Sequence, residues 1–156
     1  MKRLQSSAER TADVSSWVLL YYYELDSGRL DQAANAIEQA WSCRPTVLDR
    51  NSDLNVTLCS ETAYARAYIA KDIAGAYAAL AEAGEPSKQT MADRCRALAA
   101  IHLAEGHPDL ARVEVERGVA SLTQRHKPLP DNAQAQIDWL MDLLTPKACE
   151  VQSSSD

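Results

Sequence analysis

From Val14 to Leu25 the run VSSWVLLYYYEL carries strongly polar side chains only at Ser15, Ser16 and Glu24. At about 100° per residue its apolar positions reach round the whole circumference, the pattern of a helix buried on several sides. Gly28 breaks the pattern where a residue tolerant of positive φ can end one helix and start another. Leu30, Ala33, Ala34, Ile37, Ala40 and Trp41 then recur at helical spacing until Pro45 forbids continuation. Residues 14–45 therefore predict a helical hairpin. The design returns twice. Over 56–86, Leu58, Ala63, Tyr64, Ala67, Tyr68 and Ala70 form one stripe, Lys71 and Asp72 a turn, and Ala76, Leu80 and Ala83 a second stripe closed by Gly84 and Pro86. Over 87–124, Cys95, Leu98, Ala99 and His102 are followed by a turn at Gly106, by Pro108 at a first helical turn, and by Ala111, Val115 and Gly118.

A last helix is expected over about 130–144. Its stripe Ile137, Leu140, Met141 and Leu144 is widened by Trp139 and Leu143 beyond the ~100° a surface helix needs. At the other end, Ser6 followed by Glu9 has capping-box spacing, so residues 1–13 read as a polar segment or as an extension of the first helix. The polar TVLDRNSDLN separates the first two hairpins, with Asp53 or Asn55 as the expected N-cap. Its alternating Asp49, Asn51 and Asp53 suggest a calcium loop, but Leu54 stands where a Gly is needed and Ser60 where a bidentate Glu is needed. Residues 146–156 are polar and aperiodic, a frayed tail. The expected organisation is one all-α domain over 14–145.

The first hairpin resembles the tetratricopeptide repeat (TPR), whose pattern is W-x2-L-G-x2-Y, a turn Gly, A-x3-F-x2-A and a closing Pro. Trp17, Leu20, Gly28, Ala33, Ile37, Ala40 and Pro45 stand in register, while Tyr21 replaces a small residue and Glu24 an aromatic. The second copy starts 43 residues on, from Trp17 to Ser60, against about 34 for the family. The third follows after a further 35. The resemblance implies a right-handed α-solenoid of three antiparallel hairpins with a C-terminal capping helix, since one such hairpin cannot bury its own apolar face.

A net charge of −6 without a basic patch argues against nucleic-acid binding. No secretory signal follows Lys2 and Arg3, and WVLLYYYEL is too short to span a bilayer. Cys43, Cys59, Cys95 and Cys149 are dispersed without a C-x-x-C pair, so they read as reduced thiols in a cytoplasmic protein. A catalytic set is not evident. Cys95 and His102 share a helical face but occupy core positions, His102 and His107 flank a turn, His126 stands alone, and the motifs of phosphate, dinucleotide and zinc sites are missing. The expectation is a protein that is not an enzyme and uses no cofactor or metal. Glu24, an acid on an apolar helix, is expected to pair with an Arg or a Tyr hydroxyl.

The resemblance also implies a concave surface lined by the first helix of each hairpin. In register, its positions are Ser15, Val18, Leu19 and Tyr22, then Leu58, Glu61, Thr62, Ala65 and Tyr68, then Asp93, Arg96, Ala97 and Ala100. Only Arg96 is basic, so an apolar, Tyr-lined groove is expected rather than a clamp for carboxylates. Because the first helix is apolar all round, the chain's own N-terminal residues are one candidate cover for it. The candidate binding residues are Val18, Tyr22, Glu61, Ala65, Tyr68, Arg96 and Ala100, with Glu61 as a rim charge. Trp139 and Leu143 on the capping helix offer an alternative interface. The expected function is an adaptor or scaffold that takes an apolar helix or extended segment of a partner protein. The alternatives are a self-associating structural domain, including a homodimer, and the repeat segment of a larger protein. In size, acidity and layout the chain also resembles small secretion chaperones.

Overall fold

The structure is a computed structural model and describes residues 7–45, 49–125 and 131–145. Every regular element among them is a helix: α1 Ser7–Asp26, α2 Leu30–Cys43, α3 Asp53–Tyr68, α4 Ile73–Ala81, α5 Met91–Ala104, α6 Pro108–Arg125 and α7 Asp131–Asp142. The chain is all-α at this level. Because α1 begins at Ser7, much of the expected polar segment is its first two turns; the capping Ser6 lies outside the described residues. The expected tail at 146–156 and Pro130 lie outside them as well.

The turns follow local chemistry. Gly28, at φ 73°, donates its N–H to Leu25 O at 3.1 Å while Arg29 N–H reaches Glu24 O at 2.9 Å. Gly106, at φ 81°, repeats the arrangement, with Gly106 N–H on Leu103 O and His107 N–H on His102 O. Both satisfy carbonyls that a helix end leaves orphaned. Between α3 and α4, Lys71 takes the left-handed conformation at φ 60°, and Asp72 caps α4 by accepting Gly75 N–H at 2.9 Å.

The polar segment before α3 ties α3 to the end of α4. The N-cap is Ser52, not Asp53 or Asn55; its hydroxyl accepts Asn55 N–H at 3.2 Å. Asn55 is instead buried, and its Nδ2 donates to Arg50 O at 3.1 Å and Glu82 O at 3.2 Å. Arg50 Nη2 reaches Ala81 O at 2.8 Å, while Asn51 Oδ1 accepts Glu85 N–H at 3.3 Å. Asp49 accepts Asn51 N–H. Arg50, Asn51 and Asn55 thus serve backbone groups at and after the end of α4, while Asp53 accepts the Ser87 hydroxyl at 2.7 Å.

Consecutive helices pack as α1 on α2, α3 on α4 and α5 on α6, while α2 also meets α3, α3 meets α5, and α7 lies against α6. The interior is largely alanine, including Ala33, Ala36, Ala40, Ala63, Ala67, Ala76, Ala99 and Ala111, which lets helices approach closely. Leu25 and Trp41 touch both the core around α1 and α2 and the core around α3 to α7. At α6, a Cβ on Gly118 would stand 2.9 Å from Leu140 Cδ1, so the missing side chain is what seats α7. Leu140, Leu143 and Leu144 pack there as the stripe predicts, but Met141 is turned outward.

Replacing Asn55 with Ala removes the bond to Glu82 O and one of two bonds to Arg50 O, which keeps the Gly84 N–H at 2.9 Å, and is expected to lower stability by about 1–2 kcal/mol. Urea denaturation with an unchanged midpoint would show that this segment does not hold α4.

Candidate functional site

Three helices meet at a buried charged cluster. Glu61 on α3 is wholly buried, and its Oε2 accepts a hydrogen bond from Arg96 Nη2 on α5 and from Tyr21 Oη on α1 at 2.5 Å. Burial works against the Arg96 charge, but Glu61 and the flanking Tyr21, Tyr22 and Tyr64 more than offset it and raise the guanidinium further above its ordinary range. The Tyr21 and Tyr22 hydroxyls are pushed well above their usual range, by burial first and the Glu61 carboxylate second. The cluster thus carries a guanidinium, a carboxylate and protonated phenols. Arg96 Nε and Glu61 Oε1 are buried without a hydrogen-bond partner among the described residues.

Aromatic rings wall the cluster. The Arg96 guanidinium lies 4.7 Å from the Tyr64 ring centroid and 5.0 Å from that of Trp139. Trp139 stacks on Tyr22 at 6.1 Å with planes 7° apart, so α7 reaches from α6 across to α1. Tyr64 stacks on Tyr68 at 5.3 Å. Beside α7 a cleft of about 170 Å³ stays open, lined by Leu25, Leu30, Tyr64, Tyr68, Arg96, Trp139, Asp142 and Leu143. Asp93 completes the group on α5. It accepts from Thr57 Oγ1 at 3.0 Å and shares a small cavity with Arg96, Gln136 and Leu140. Burial, then the Glu61 carboxylate, raises its pKa from 3.8 to about 7, against the lowering pull of Arg96 and the Thr57 hydrogen bond.

The expected groove is therefore occupied. Tyr22, Glu61, Tyr68 and Arg96 do converge, and Trp139 of α7 lies over Tyr22 and Arg96; residues 1–6 lie outside the described residues. Glu61 is no rim charge; it is the acceptor at the centre of the cluster. Val18, Ala65 and Ala100 are buried in the packing between helices, as are Leu58, Thr62 and Ala97. Ser15 and Leu19 do not face α7; both are exposed. Trp139 and Leu143 are not a free edge either: one stacks on Tyr22 and the other is 9% exposed. Tyr21 was not among the expected positions, and Asp93, expected on the concave side, was not among the candidate binding residues, although a signal existed. Glu61 and Arg96 hold the same register position 35 residues apart, and opposite charges on an otherwise apolar row call for a pair.

The other candidate groups have structural surroundings. Glu24 pairs with Arg29. Burial raises the Cys95 thiol to about 12 and the Cys59 thiol to about 11, against a nucleophilic role. His102 faces Glu105 at 3.6 Å. Among the described residues no cluster of His, Cys, Asp or Glu is placed to hold a metal, and no helix is long and apolar enough to cross a membrane. His126 and Cys149 lie outside the described residues.

Two outcomes follow from the cluster. Arg96→Leu strands the Glu61 charge and is expected to cost about 3–5 kcal/mol, whereas Arg96→Leu combined with Glu61→Leu costs much less; a double-mutant cycle in urea checks this. A double mutant that costs the sum of the Arg96→Leu and Glu61→Leu single substitutions would mean that the charges are not coupled. Asp93 holds its proton more tightly when folded, so its contribution is complete below about pH 4 and is lost as pH rises to about 7. Asp93→Asn should therefore match the parent near pH 4 and exceed it near pH 8 by on the order of 1–3 kcal/mol, allowing for partial solvent contact. Thermal melts across this range with parallel curves would refute it.

Comparison with known proteins supplies no relative: no protein-family model, no curated protein and no solved structure matches this chain.

Proposed function

We propose that the chain is a non-enzymatic, TPR-like interaction module: three stacked hairpins whose concave side, built by α1, α3 and α5, takes an apolar helix or extended segment of a partner protein. The observation that carries this reading is the placement of α7. An amphipathic helix is held on that side through the stack of Trp139 on Tyr22, the helix-in-groove mode of recognition within one chain. The residues at hand suit it. Tyr22, Tyr64 and Tyr68 present rigid amphipathic rings, and the open cleft of about 170 Å³ beside α7 has room for one large apolar side chain.

Because Arg96 is neutralised by Glu61, the cleft does not select for acidic ligands, and binding is expected to depend little on salt. In this reading a partner helix either anchors beside α7 or takes its place.

A labelled peptide copying residues 131–144 probes the side directly. Trp139→Ala loosens the resident helix, so this variant of the full chain should bind the peptide at least about tenfold more tightly than the parent. Adding Tyr22→Ala or Tyr68→Ala should cancel the gain, since truncating a central aromatic anchor costs ~2 kcal/mol or more. Fluorescence anisotropy showing no peptide binding to the Trp139→Ala chain, or binding indifferent to both tyrosines, would refute the proposal.

A further inference from the structure

The outer side of α1 carries a second surface. Ala12, Ser15, Ser16, Leu19, Leu20 and Tyr23 are all exposed, at a spacing that sets them in one stripe along the helix. Leu19 is 70% exposed, Tyr23 62% and Leu20 39%, and the stripe contains no charged side chain in a chain of net charge −6. Such a stripe on an acidic protein marks a contact face.

The repeat register shows what kind of contact it is built for. Leu19, Leu20 and Tyr23 correspond to Thr62, Ala63 and Arg66 on α3, and to Ala97, Leu98 and Ile101 on α5. Thr62, Ala63, Ala97 and Ile101 are all wholly buried. Arg66 reaches back to the hairpin in front, bonding Glu38 on α2 at 2.7 Å and lying 5.1 Å from the Trp41 ring. At both internal junctions this face is thus covered, whereas at α1 no described element covers it.

We propose that a second copy of this chain covers it, with α1 packed antiparallel on α1 about a two-fold axis. The stripe is self-complementary in that orientation. Its first half is small, at Ala12, Ser15 and Ser16, and its second half is large, at Leu19, Leu20 and Tyr23, so the large half of each copy lies on the small half of the other. The Ser16 hydroxyl already donates to Ala12 O at 3.0 Å, so covering it strands no donor. Arg29 pairs with Glu24 and lies over the Tyr23 ring, while Asp13 and Asp26 are the acidic neighbours of the stripe on α1 itself. From Ala12 to Tyr23 the stripe itself brings no charged side chain to the contact. The stripe from Ala12 to Tyr23 spans about 18 Å of helix, so the contact is at the low end of specific interfaces, and the dimer exchanges in the micromolar range.

Sedimentation equilibrium of the full chain from about 1 to about 200 µM tests this. The mass should rise with concentration from 17.1 kDa toward twice that value. Leu19→Glu and, independently, Leu19→Ser should each weaken self-association at least about tenfold with an unchanged circular dichroism spectrum, because the side chain is largely in solvent. Tyr68→Ala, which alters the concave side, should leave it intact, so the two proposals fail separately. A chain that stays monomeric throughout, or a dimer that survives both substitutions at Leu19, overturns the inference.

Discussion

The Glu61 carboxylate accepts from Tyr21 on α1 and from Arg96 on α5 while lying wholly inside the molecule, and much else in the structure answers to that arrangement. A carboxylate without water must have strong partners in good geometry, or its desolvation is not offset. The partners here come from two other helices, so α1, α3 and α5 can slide past one another only by breaking charge-assisted bonds. Apolar contacts between alanine faces are far less particular about register. The ion pair selects one alignment from several that hydrophobic burial alone would accept.

On one side of the cluster α7 holds water back, beside the cleft that stays open. Trp139 lies over Tyr22 and the Arg96 guanidinium, and Leu140 sits where Gly118 leaves space. The small side chains of Ala65 and Ala100 occupy the same register position as Tyr22. The large ring therefore stands at one end of that row, where Trp139 meets it. The seal and the charge support each other: α7 lowers the local dielectric that strengthens the pair, and the paired guanidinium gives the indole a cation to lie against. Asp93, at the edge of the same contact, is the group in this region whose ionisation falls near neutral pH.

Two surfaces with different chemistry result. One is aromatic, enclosed and already engaged by a helix of the chain itself; the other is the uncharged stripe on α1, open to solvent. Their separation on different sides of α1 follows from helical geometry, since Tyr22 and Tyr23 project about 100° apart. A helix apolar all round can thus serve the interior, the contact with Trp139 and an exposed stripe at once.

Much of the architecture was legible from local rules. Gly28 and Gly106 marked turns because only glycine adopts positive φ without strain, Pro108 marked a helix start, and alanine periodicity outlined α2, α5 and α6. Register also identified which residues face a common side, and Tyr22, Glu61, Tyr68 and Arg96 do come together there. These are properties of neighbours a few residues apart, and the sequence by itself determined them. It could not say that Glu61 is interior rather than at a rim, that Ser52 rather than Asp53 caps α3, or that Trp139 closes on Tyr22 from 117 positions away. Those outcomes depend on which surfaces meet when the hairpins stack. Burial and pairing are properties of that contact, whereas helical periodicity is written along the chain, so only the tertiary structure decided them.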